Sequence, residues 1–124
     1  MSLTRALPLA TLAIVALLAA IALDVAQGAG GPGNPKQGKQ IFLNNMILCG
    51  SCHTLKAARS TGRDGPNLDR AKPGYARIVA VVTKGRNPTK RWPTGMPFYS
   101  GKHALLSKAQ VRDVAAFVYN ATHK

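Results

Sequence analysis

The chain has 124 residues, enough for one domain and too short for two with large separate cores. It carries 17 Lys and Arg against four acidic residues, for a net charge of +13. All four acids are Asp; there is no Glu. A field of that sign disfavours cationic partners and steers acidic ones, in association that weakens as salt rises.

Residues Ala6 to Leu23 contain no charged side chain and follow Arg5. These 18 residues exceed a usual signal-peptide core and approach the minimum for a spanning helix. Ala26-Gln27-Gly28 has the small residues of a cleavage site. Residues 1–28 therefore read as a signal peptide or an N-terminal membrane anchor, 29–34 as a flexible linker, and 35–124 as the domain. Either reading of the leader puts the domain in the periplasm or on the outer face of the cytoplasmic membrane. Export also sets nucleic acid aside as a partner. Arg5 and Asp24 cancel, so loss of residues 1–28 leaves the net charge unchanged. A domain of about 90 residues is marginal by core burial alone.

Asn34-Pro35 reads as a helix start, with Asn as N-cap, Pro at the first helical position and Gln37 at the third. The spacing predicts a helix from Pro35 to Leu48. Gly38, Phe42, Asn45 and Cys49 then share one face, which would deliver Cys49 to the site. Gly38 on that face suits close approach by another helix.

Cys49-Gly50-Ser51-Cys52-His53 follows. C-x-x-C-H is a c-type haem attachment pattern. Each thiol adds to one haem vinyl group as a thioether, and the adjacent imidazole ligates the iron from the proximal side. A Cys49–Cys52 disulfide would close only a tiny loop. A thioredoxin-like pair would need a βαβ context, and no strand-helix-strand pattern surrounds it. A small zinc or redox module on Cys49, Cys52 and His53 is a third, weaker reading.

Lys56 to Asp64 is polar and basic without periodicity and reads as loop. Gly65-Pro66-Asn67-Leu68 is a turn followed by an apolar residue. Tyr75, Ile78, Val79 and Val82 recur at helical spacing, which predicts a helix from Gly74 to Lys84 stopped at Gly85. The β-branched run Ile78 to Val82 also suits a strand, but no second strand offers to pair with it. Arg86 to Gly101 is loop, with three prolines and two glycines. Ser107 and Gln110 form a capping box, and Leu106 with Val111 a hydrophobic staple. Val111, Val114, Ala115 and Val118 make the apolar face of that last helix. The fold class is all-α, with three main helices and long loops. Loops of that length suit a domain that wraps a prosthetic group.

Iron held by His53 needs a distal partner if it is six-coordinate. The ligating side chains are Met46, Met96, His103 and His123. Met46 falls on the predicted first helix, too near Cys49 to reach the opposite face. His123 is beside the terminus and expected to fray. Of the remaining two, Met96 sits in a Gly-Met-Pro loop, where Gly95 permits an unusual backbone and Pro97 stiffens it.

These features in this order resemble a class I c-type cytochrome of the small bacterial monohaem kind, over roughly residues 35–122. The resemblance rests on the C-x-x-C-H motif, Gly65-Pro66-Asn67-Leu68, Gly95-Met96-Pro97 and a capped last helix containing Ala116-Phe117-Val118. It implies a cytochrome c fold around one haem c, with thioethers at Cys49 and Cys52 and axial ligands His53 and Met96. It implies that the first and last helices cross at Gly38, Phe42 and Phe117. It also implies that the Pro66 carbonyl accepts a hydrogen bond from His53, and that Trp92 reaches a haem propionate. The function it implies is one-electron transfer, with a reductase such as a cytochrome bc complex as donor. A terminal oxidase or reaction centre would be the acceptor. Lys56, Arg59, Lys84, Arg86, Lys90, Arg91 and Lys102 flank the motif and Met96. They are the expected docking cations for acidic partner surfaces. The alternatives are a haem enzyme or gas sensor with a displaceable Met96, and a tethered haem subunit of a larger oxidoreductase.

Overall fold

The computed structural model describes residues 31–101 and 104–124. The leader and the pair Lys102 and His103 lie outside the described residues. Helix α1 spans Pro35–Phe42, α2 Cys49–Cys52, α3 Leu68–Ala71, α4 Tyr75–Lys84 and α5 Lys108–Thr122. A two-stranded antiparallel hairpin, β1 Thr54–Leu55 and β2 Ser60–Thr61, follows α2, with a 3₁₀ turn over Lys56–Ala58 between the strands. The described residues are thus helix-rich with one small sheet. Among the described residues, no helix is long and apolar enough to cross a membrane.

Helix α1 starts as its sequence dictates. The Asn34 side chain accepts from the backbone N–H groups of Lys36 and Gln37 at 3.0 and 3.3 Å. It ends six residues before the predicted boundary. Asn44 is the reason: its side chain accepts the Met46 N–H at 2.8 Å, offering the backbone an alternative to the helix. The N–H groups of Ile47 and Leu48 both bond the Asn44 carbonyl, and Leu48 turns into the left-handed region at φ 63°. Gly38 and Phe42 lie buried on α1, Asn45 is exposed on the turn, and Cys49 arrives at the start of a new helix.

The core is the crossing of α1 and α4 on α5. A Cβ at Gly38 would overlap the Asp113 carbonyl and lie 2.9 Å from the Phe117 Cβ. Phe42 meets Phe117 edge to face, with ring centroids 5.7 Å apart. Ile78 and Val82 of α4 join Val111, Val114 and Val118 of α5 in the same buried cluster. The capping box of α5 is complete: Ser107 N–H donates to Gln110 Oε1 at 2.8 Å, and Gln110 N–H to Ser107 Oγ at 3.2 Å. Leu106 and Val111 are both buried, as the staple requires.

Two further segments differ from their sequence reading. Lys56–Asp64 holds the turn and second strand of the hairpin, whose strands of two residues are too short to show a period. Ser60 Oγ accepts the Leu55 N–H at 3.1 Å, and Arg59 makes the turn at φ 54°. Residues 31–34, read as flexible linker, are fastened to the domain. Asn34 N–H donates to Asp113 Oδ1 at 2.7 Å, and the Tyr75 hydroxyl donates to the Pro32 carbonyl.

Candidate functional site

Helix α2 and the loop after β2 form one side of a cleft of about 600 Å³. Cys49, Cys52 and His53 line it, and Met96 lines it from the loop after α4. Its remaining walls include Phe42, Ile78, Val82, Val114 and Val118, so the core itself supplies an apolar sleeve. The volume falls in the range of cofactor pockets, about 300–1,000 Å³. Two thiols, an imidazole and a thioether on one apolar cleft are a donor set that fits haem c. Both cysteines are free. Burial, above all, pushes the Cys49 thiol up to about 11, with a backbone hydrogen bond opposing and Cys52 adding to the rise.

The proximal wall is built by close backbone approach. The Gly65 N–H donates to the Cys52 carbonyl at 2.8 Å. A Cβ on Gly65 would lie 2.6 Å from Cε1 of the His53 ring. Gly65 therefore leaves the space that the imidazole fills. The next carbonyl, of Pro66, stands 2.9 Å from His53 Nδ1. A carbonyl only accepts, so Nδ1 carries a proton, and in the neutral ring the lone pair is on Nε2.

The opposite wall is a braced loop. Helix α4 stops at Gly85, φ 69°, where a Cβ would lie 2.5 Å from the Met96 carbonyl oxygen. Arg86 and Met96 then exchange two backbone bonds, of 2.8 and 2.9 Å. Gly95, at φ 67°, turns the chain into Met96. Three residues on, Tyr99 bonds through its N–H to the Val82 carbonyl at 3.0 Å. Its buried hydroxyl donates to the Ile47 carbonyl at 2.8 Å, tying the Met96 loop to the segment that delivers Cys49. Burial pushes the Tyr99 phenol up to about 12, with the Cys49 and Cys52 sulfurs adding when ionised. Sequence periodicity gave no sign of Tyr99, because its role depends on a partner 52 residues away.

The other ligand candidates lie elsewhere. Met46 is 79% exposed on the turn after α1, not on a helix. His123 is ordered rather than frayed: its ring stacks on Tyr119 at 4.1 Å, and Nδ1 lies 3.0 Å from Thr122 Oγ1. His103 is outside the described residues. Among the described residues, no three or more His, Cys, Asp or Glu side chains gather as a metal site.

Trp92 lines the cleft, with the Arg91 guanidinium 5.3 Å from its ring centroid. Of the expected docking cations, Lys56, Arg59, Lys84, Arg86, Lys90 and Arg91 are exposed, and Arg86 lines the cleft. Lys102 lies outside the described residues. Lys72 and Arg77 also line the cleft and escaped the sequence reading. Lys72 reaches it because a left-handed residue, φ 41°, ends α3 there.

The family described as cytochrome c oxidase, cbb3-type, subunit III matches residues 33–118. The crystal structure of the c-type cytochrome SorU from Sinorhizobium meliloti is similar, with a TM-score of 0.60 and 33% sequence identity. That likeness covers 73% of this chain and 92% of SorU. Among curated proteins, none matches. The fold is that of a c-type cytochrome, and the chain belongs to the c-type cytochrome family described as cytochrome c oxidase, cbb3-type, subunit III.

Proposed function

We propose that this domain is a one-electron carrier with a single haem c, attached through Cys49 and Cys52 and ligated by His53 and Met96. The observation that carries the reading is that one apolar cleft takes His53 and Met96 from separate elements, each on a braced backbone. When bound, haem c supplies a one-electron ferric–ferrous couple. The two cysteine sulfurs keep it from being lost outside the cell. The Pro66 carbonyl fixes the His53 ring and its tautomer, which presents Nε2 to the iron. The Met96 thioether favours the ferrous state and raises the potential relative to a second imidazole. Phe42, Val82 and Val118 exclude water from the cleft.

The domain works outside the cytoplasm, free or held by residues 1–28. Its partners are redox proteins with acidic docking surfaces. The matched family's description as an oxidase subunit supports a partner of that class. Carbon monoxide binding to the reduced protein tests the reading. Two protein ligands leave no open position, so binding is expected to be absent or slow. Rapid binding, or peroxide turnover, would make the domain a gas sensor or a haem enzyme instead.

A further inference from the structure

A second groove, of about 760 Å³, lies behind the proximal wall of the cleft. Three arginines line it: Arg63 after the hairpin, Arg70 on α3, and Arg91 on the loop before Met96. Among the described residues, none that lines it is acidic. The acids on neighbouring elements are turned elsewhere. Asp69, beside Arg70, accepts the Lys56 N–H at 2.8 Å, and Asp64 lines the haem cleft. Three like charges on one concavity repel each other unless an anion joins them. Guanidinium forks match phosphate oxygens two at a time, which lysines do not. Trp92, packed under Arg91, limits that side chain's freedom.

We propose that this groove binds a phosphate-class polyanion, separately from the haem cleft. The two sites share Gly65, Pro66, Ala71 and Trp92 as a wall. A bound anion would therefore lie beside Pro66, whose carbonyl holds the His53 ring. This coupling, though not the binding, rests on the haem reading above. Negative charge there favours the ferric state, so the anion binds the oxidised protein more tightly. By reciprocity it lowers the reduction potential. Tenfold tighter binding to the oxidised form corresponds to a fall of about 59 mV for one electron.

The test is a calorimetric titration of haem-loaded protein with pyrophosphate, in both redox states, at an ionic strength fixed with chloride. Saturable one-to-one binding is expected, at least tenfold weaker in an Arg63→Gln/Arg70→Gln variant. A Lys36→Gln/Lys39→Gln control removes two exposed charges on α1, away from the groove, and should leave the affinity unchanged. Equal weakening in that control would reduce the effect to net charge and overturn the proposal, as would the lack of saturable heat. If the arginines instead hold haem propionates, the arginine variant shifts the potential without added anion and pyrophosphate gives no saturable heat. That result also overturns it. Absence of a c-type spectrum would sink the haem reading alone, because the heat of binding is read independently of it.

Discussion

Tyr99 joins the two halves of the site. Its hydroxyl bonds the carbonyl of Ile47, two residues before Cys49, while its backbone follows Met96 by three. Tyr99→Phe keeps the ring and leaves that buried carbonyl unpaired, at a cost of about 1–3 kcal/mol. The cost should depend on pH. The folded phenol is raised to about 12 from its ordinary 10, so folding favours the protonated form. That contribution is fully present below pH 10 and is lost as pH rises above it; with both sulfurs held as thioethers burial alone raises the phenol, so the loss is complete by pH 12 or below. Denaturant unfolding of both haem-loaded proteins between pH 9 and pH 12 should therefore show their stability difference shrinking at the alkaline end. A constant difference would remove the phenol from the site's support. None of this was legible in the sequence, where Tyr99 is one aromatic in a loop. Cys49, Cys52 and His53 were legible because the proposed haem attachment and ligation would fix both their types and their spacing. Gly65 stood out only as part of a motif, and its physical reason, room for the His53 ring, is a contact between separate loops.

The crossing of α1 and α5 sets where the attachment motif begins. Gly38 lets the two backbones meet, and Phe42 locks against Phe117 one turn later. Gly38→Ala would ordinarily favour a helix, by about 1 kcal/mol. Here the added methyl meets the Asp113 carbonyl, and overpacking of this kind costs about 1–3 kcal/mol. The expected outcome is a lower melting temperature of the haem-loaded protein; a higher one would mean that the helices are not in close contact. Helix starts were readable because caps are local: Asn34 and Ser107 act on N–H groups two or three residues away. The end of α1 was not. The helical spacing runs on through Asn45 to Cys49, and only the competing hydrogen bond of Asn44 shows why the helix stops at Phe42. The hairpin was missed for a different reason, since strands of two residues carry no alternation to detect.

The whole molecule pairs an apolar cleft with a net charge of +13. The exposed cation Lys84 ends α4, and Arg86, Lys90 and Arg91 follow it on the loop that carries Met96. Encounter with an acidic redox partner should be steered by this field. Its rate should fall on the order of tenfold between low and physiological salt, as stopped-flow reduction would show. An unchanged rate would leave the charge a matter of solubility alone. The fold class and the order of the main helices were readable from caps and period, whereas the basic walls at Lys72 and Arg77 emerged only from the way α3 and α4 pack. Everything nonetheless turns on Met96, because a second protein ligand separates a carrier from a catalyst. The visible spectrum of the exported protein, with and without Met96→Ala, decides it. A c-type pyridine haemochrome in both proteins, with the far-red iron–sulfur band lost in the variant, is the predicted result. A band that survives the substitution, or that is absent from the unaltered protein, would contradict the assignment of Met96 to the iron.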